Sequence, residues 1–279
     1  AVFFAYGAMT LWLQYTRRRK IHDATSLYFR VAMLSLAAFA VSGAAYFLIP
    51  AIGTDPRTVV WLGVLAIVGV FVSAITGMMY KITPFLNWLH LQRLGAPMSA
   101  VPNMKKMLDA DAMTGQLRLH VLALLLLLAA VIATAGVVAD STATVIGAMI
   151  VAPLMTPILG TALAVVLADH RHVVSSVSLV VGGALLVVAI AFVIGFIDSP
   201  LDAFAANSQV AGRISPRLID LVAALATGTV GAFALVRSDI ADTLPGVAIA
   251  ISLVPPLAVV GLLLSVQRYG DAVGALLLF

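Results

Sequence analysis

Two apolar stretches of this chain interrupt the helices in which they lie: Gly147 to Gly160, GAMIVAPLMTPILG, and Gly246 to Gly261, GVAIAISLVPPLAVVG. Each begins and ends on glycine and carries two prolines near its middle. Proline has no amide to donate and clashes with the preceding turn, so carbonyl oxygens are left unpaired. Where no water is freely available, such a break persists only if something else satisfies it. Paired broken helices in two halves of a chain are, in secondary transporters, the usual sequence pointer to a solute or ion site near the bilayer midplane.

Composition places both stretches in a membrane. Of 279 residues 62% are hydrophobic and 10% charged, mean hydropathy is +1.12, and glutamate does not occur. A soluble domain of this length needs far more polar surface. Uncharged runs such as Val121–Val138 and Val173–Ile197 approach the roughly 20 residues that cross the hydrocarbon. The expected fold is therefore all-α, a polytopic bundle of about nine spans. These fall near 1–15, 27–50, 58–80, 119–139, 143–168, 173–197, 215–236, 244–266 and 271 onward, the last of them truncated. The chain lacks an initiator methionine and stops inside an apolar run, as a fragment would.

Charge sets the orientation. Arg17, Arg18, Arg19 and Lys20 put the first loop on the cytoplasmic side. Alternation then assigns Lys81, Arg93, Lys105, Lys106, Arg118, Arg171 and Arg237 to the same side, leaving Arg57, Arg213, Arg217 and Arg268 outside. The N-terminus faces outward, and the expected location is a bacterial inner membrane. The basic residues lie in short loops and not along one face, so the pI near 9.6 signals anionic lipid and not nucleic acid. The absence of cysteine excludes disulfides and thiol chemistry.

Two domains are expected: a three-span region with a basic loop at 1–118, and a six-span unit at 119–279. Two spans separate the two breaks, so the breaks run in opposite directions. Spans four to six and seven to nine then form an inverted repeat of three-helix units. Asp140 in a short outer turn and Asp242 on the inner side occupy corresponding places ahead of the breaks. Each has two readings, a helix cap or a direct contact to solute or cation; Ser141 shares the capping role with Asp140, and Pro245 follows Asp242. Within the breaks, Gly147, Thr156, Gly246 and Ser252 accompany carbonyls freed by Pro153, Pro157, Pro255 and Pro256. Oxygen donors of this kind suit a sodium-like cation, a proton-coupled solute or a small polar molecule.

From about Leu117 onward the chain, with ADSTATVIGAMIVAPL and later GVAIAISLVPPLAVVG, resembles the bacterial membrane family catalogued as domain of unknown function number 389. The resemblance implies a multi-span membrane protein and supplies no chemistry. Residues 1–118 depart from that pattern and resemble the tail of a different polytopic protein, with GMMYKITPFLNWLHLQ as its distinctive stretch. A fusion would place its seam between Ala110 and His120.

Three functions follow from these residues. The first is a transporter-like or channel-like element with its site between the broken helices of spans five and eight. The second is a redox or haem- or metal-binding subunit using His90 and His120, which requires the two side chains to converge. The third is a non-transporting scaffold whose prolines only shape packing. No catalytic residues are indicated and no enzyme activity is expected. Asp169, His170, Arg171 and His172 read as a charged turn, because two imidazoles on a solvated loop make an incomplete metal site. No cofactor is expected on the first reading. The expected partners are the lipid bilayer, a small solute or ion, and further copies of the chain.

Overall fold

The computed structural model describes residues 2–16, 24–94, 107–197, 207–236 and 253–279. Regular structure among them is entirely helical, and the chain divides into two compact units, residues 1–124 and 125–279.

In the first unit, α1 (Val2–Thr16) packs on α2 (Ala24–Leu48), which packs in turn on a long rod. A short helix, α3 (Pro50–Gly53), leads to that rod, which runs unbroken from Pro56 to Arg93 as α4 (Pro56–Val64), a π-helical stretch (Leu65–Val72) and α5 (Ser73–Arg93). Pro56 opens the rod where its missing amide has no helical partner to lose. Asp55 caps it, accepting from the Arg57 amide at 2.9 Å and from Arg57 Nε at 2.8 Å. In the π-helical stretch Gly69 lies against Ser35 of α2, so that a Cβ there would come within 2.6 Å of the serine. The unit ends with the first half of α6 (Ala110–Val138).

The second unit comprises the end of α6, then α7 (Thr142–Val151), α8 (Met155–Val166), α9 (His170–Ile197), α10 (Ser208–Ile214), α11 (Leu218–Val236), α12 (Val254–Ser265) and α13 (Tyr269–Leu276). Its core is α12, buried almost from end to end against α9. That crossing is close because Gly261 admits the α9 backbone: a Cβ at Gly261 would lie 2.6 Å from Ala191 Cβ and 2.9 Å from the Phe192 nitrogen. Small residues are the usual means by which membrane helices approach one another. α8 packs on α9 as well, yet Leu163, Val165, Val166 and Leu167 stay exposed.

Four described helices are long and apolar enough to cross a membrane. The number rises to six if the two bent pairs, α7 with α8 and α10 with α11, each count as one span. These helices fit a membrane-embedded protein. At the expected spans 1–15, 244–266 and 271 onward, the described helices α1, α12 and α13 have 15, 12 and 8 residues. That is short of the roughly 20 needed for a crossing.

Candidate functional site at the broken helices

The first apolar stretch breaks where the sequence places the break. α7 stops at Val151, α8 starts at Met155, and the two axes differ by 55°. Ala152 is extended (φ −70°, ψ 120°), the conformation imposed on a residue that precedes proline. Without an amide, Pro153 cannot donate to the Met149 carbonyl four residues back, and Pro157 cannot donate to the Pro153 carbonyl. Pro157 sits in the first turn of α8, which leaves that helix otherwise intact.

Of the second stretch only the C-terminal part is described. There Pro255 and Pro256 occupy the second and third positions of α12 and open the helix. Among the described residues they therefore interrupt nothing. Asp242, Gly246 and Ser252 lie outside the described residues. The first break and the start of α12 do meet. Ala148 and Leu154 from the first, with Val254, Leu257 and Ala258 from the second, belong to one apolar cluster that also includes Leu126 and Val187. Thr156 is exposed and Gly147 half-buried, and a methyl at Gly147 would have no neighbour within 4 Å.

The aspartate and serine ahead of the first break divide the capping role in a way that the sequence did not separate. Ser141 is the N-cap of α7, its hydroxyl accepting from the Thr144 amide at 3.4 Å. Asp140 adopts a left-handed conformation (φ 50°) that closes α6, and the Ser141 amide donates back to the Gly136 carbonyl at 2.8 Å. Its carboxylate is turned to α10: Ser208 Oγ donates to Asp140 Oδ1 at 2.7 Å and the Gln209 amide at 3.1 Å. The Ser208 hydroxyl, followed by the Gln209 and Ser208 amides, holds the Asp140 carboxyl below the usual carboxylate range. Asn207 completes the contact, donating from Nδ2 to the Val137 carbonyl at 2.7 Å and capping α10 through Oδ1.

The remaining singled-out residues are placed as follows. Asp169 accepts from the His172 amide at 3.2 Å and pairs with His172 Nδ1 at 2.7 Å. These contacts, the amide first, lower its pKa. No group of three or more metal-binding side chains occurs among the described residues. Thr227 and Thr229 bond back to their own helix, to the Ala223 and Leu225 carbonyls. Asp220 accepts from the Arg217 amide at 2.8 Å.

In the first unit the structure does not bring His90 and His120 together. His120 Nε2 lies 2.7 Å from Ser73 Oγ, whereas His90 is 17 residues further along α5, about 25 Å of helical rise. A bis-histidine haem or copper site is incompatible with that separation. His120 belongs instead to a polar cluster that the sequence did not disclose. The Tyr28 ring centroid is 5.5 Å from that of His120 and 5.7 Å from that of Tyr80, and the Tyr80 hydroxyl bonds Gln116. The Tyr28 hydroxyl is buried with no hydrogen-bond partner among the described residues. One signal was available in retrospect: Ser73 and Tyr80, seven residues apart, and Gln116 and His120, four apart, each share a helix face in otherwise apolar surroundings.

The fold and site thus define a chain whose described elements are helical, whose long apolar helices fit a membrane-embedded protein, and whose α7–α8 pair is bent at Pro153. Residues 149–279 match the family described as "Domain of unknown function (DUF389)", so the resemblance drawn from the motifs holds over that region. An uncharacterized protein of Methanocaldococcus jannaschii is 33% identical over 157 residues, which is 56% of this chain and 48% of that protein. The chain therefore spans about half the length of this relative. No solved structure matches.

Proposed function

We propose that the second unit is a transporter-like or channel-like element built from two inverted three-helix repeats, with its site where the two breaks meet. The observation that carries this reading is a common register. α8 spans 155–166 and α12 spans 254–265, so both ends are shifted by 99 residues. The next helices, α9 and α13, begin at 170 and 269, again 99 apart. The turns between them match as well: Ala168 (φ 52°) and Gln267 (φ 60°) are both left-handed. Asp169 N donates to the Ala164 carbonyl at 2.9 Å, and Arg268 N to the Leu263 carbonyl at 2.9 Å.

Even the ion pairs correspond, with their signs exchanged: Asp169 with His172 at 2.7 Å, Arg268 with Asp271 at 2.5 Å. Carried back along the chain, the same register aligns Pro157 with Pro256, Gly147 with Gly246, Thr144 with Thr243 and Asp140 with Asp239. It thereby pairs Asp140 with Asp239 in place of Asp242. Each repeat holds three spans, an odd number, so the second is inverted relative to the first. With the first unit's three spans the total is nine, the N-terminus outside and the basic loops cytoplasmic, in an inner membrane.

The Met149 and Pro153 carbonyls and Thr156 supply oxygen donors to a small cation or polar solute. No enzymatic step is needed, and no partner beyond lipid, solute and further copies of the chain. The test is flux in reconstituted vesicles across a panel of alkali cations and small polar solutes. Wild-type protein is expected to move at least one of them. Pro153→Ala, which restores a donor to the Met149 carbonyl, is expected to reduce flux at unchanged expression. A wild-type chain that moves nothing across the panel returns the prolines to a purely packing role.

A further inference from the structure

The helix that Asp140 holds has a feature that simple packing does not require. α10 leaves α11 at 90° through Ser215, Pro216 and Arg217, a linker without helical structure. Its seven residues are fixed to the rest of the unit at three points. One is apolar: Val210 is fully buried in the cluster formed by Val137, Val145, Val259 and Leu263. One is a backbone contact, where a methyl at Gly274 of α13 would overlap the Ile214 carbonyl. The third is polar and faces solvent: Asp140 receives Ser208 and Gln209, and Thr142 Oγ1 receives Gln209 Nε2 at 2.9 Å. The α6–α7 turn so covered is the entrance to α7, whose ten residues, about 15 Å of rise, lead straight to the break at Ala152–Pro153.

From this arrangement we infer that α10 is a gate over the Asp140 end of the second unit and that Asp140 is its latch. The inference rests on the transport reading and names the element that regulates access to the same site. A single side-chain carboxylate gathers a hydroxyl and an amide from the gate, and it does so at an exposed position where exchange with water costs little. The 90° linker provides the hinge, because Pro216 lacks an amide and Ser215 (φ −120°, ψ 89°) is neither helical nor strained. Opening exchanges the bonds at Asp140 and Thr142 for bonds to water and withdraws Val210 from its cluster.

The chain has no cysteine of its own, so thiol probes report only where they are introduced. In intact vesicles a membrane-impermeant maleimide reads the accessibility of Ala148→Cys, fully buried one turn ahead of the break. Adding Asp140→Ala is expected to raise its labelling rate by about tenfold, the effect of losing a latch worth about 1.4 kcal/mol. Asp140→Asn keeps an acceptor oxygen for Ser208 and is expected to fall between the two, an intermediate result that general unfolding would not produce. In a separate protein, the pair Asp140→Cys with Ser208→Cys is joined by a short bis-thiosulfonate cross-linker. Any flux is expected to fall at least fivefold and to recover with reductant. Unchanged labelling at position 148 in Asp140→Ala overturns the gate, as does full flux through the cross-linked protein. Labelling that responds to Asp140 in a protein that moves no solute supports the gate and removes the transport reading instead.

Discussion

α8 and α12 have the same length, the same proline in the first turn and the same left-handed closing residue, yet their surroundings are opposite. α12 is wrapped by α9, α7 and α13, while α8 leans on α9 and leaves one flank open. Leu163 and Leu262 are the same residue at matched positions, 57% and 0% exposed. Local sequence therefore sets where each helix starts and stops. What covers it is decided by helices far away in the chain.

The sharpest way to break this comparison is to truncate the matched leucines. Leu262→Ala removes packing on all sides and is expected to destabilise the protein by about 3 kcal/mol. Leu163→Ala, on the open flank, is expected to cost no more than about 0.5 kcal/mol. Thermal unfolding in micelles of one composition checks both, and equal losses would mean that α8 is covered as fully as α12. Next in size is Gly261→Ala, which pushes a methyl into the α9 backbone and is expected to cost about 2 kcal/mol. Gly160→Ala meets only Ser176 Oγ at 3.4 Å and is expected to be near neutral.

Where the two helices agree, they are expected to respond alike. Ala168→Gly and Gln267→Gly relieve a left-handed backbone that is costly for a side chain, and each is expected to stabilise by about 0.5–1 kcal/mol in the same assay. The smallest expected difference is in acid. Asp169 closes the turn after α8 with a depressed pKa, and Arg268 stands in its place after α12. A carboxyl whose folded value lies below its unfolded value, about 3.9, contributes stability that is complete above that unfolded value. The contribution is lost as pH falls through the folded one. Hydrogen exchange at the start of α9 is therefore expected to quicken below about pH 4, through Asp169, before exchange at the start of α13 does.

Much of this was legible in the residues. Pro153 after an apolar run specifies the break, and the Asp140–Ser141 pair marks the cap without saying which of the two supplies it. The register on which the proposed repeat rests was not legible. The residues alone place Asp242 opposite Asp140, whereas the 99-residue shift of the helix ends places Asp239 there. Prolines four apart in one stretch and adjacent in the other gave no unique alignment, and Pro255 and Pro256 both fit a first turn. The docking of α10 was hidden for another reason. Asn207, Ser208 and Gln209 have the composition of a loop, and their partners Val137, Asp140 and Thr142 lie about 70 residues earlier. The Ser73–His120 contact likewise depends on a π-helical offset that no period in the sequence announces.

The rod from Pro56 to Arg93 is 38 residues long, so it measures about 55 Å, against about 30 Å of hydrocarbon. Even inclined at about 40° it outreaches the lipid by more than 10 Å. Pro56 opens the rod with Asp55 beside it, and Lys81 and Arg93 mark its far portion. In a bilayer entered at Pro56 the surplus would fall at the Lys81–Arg93 end, past Pro84 and around Trp88 and His90.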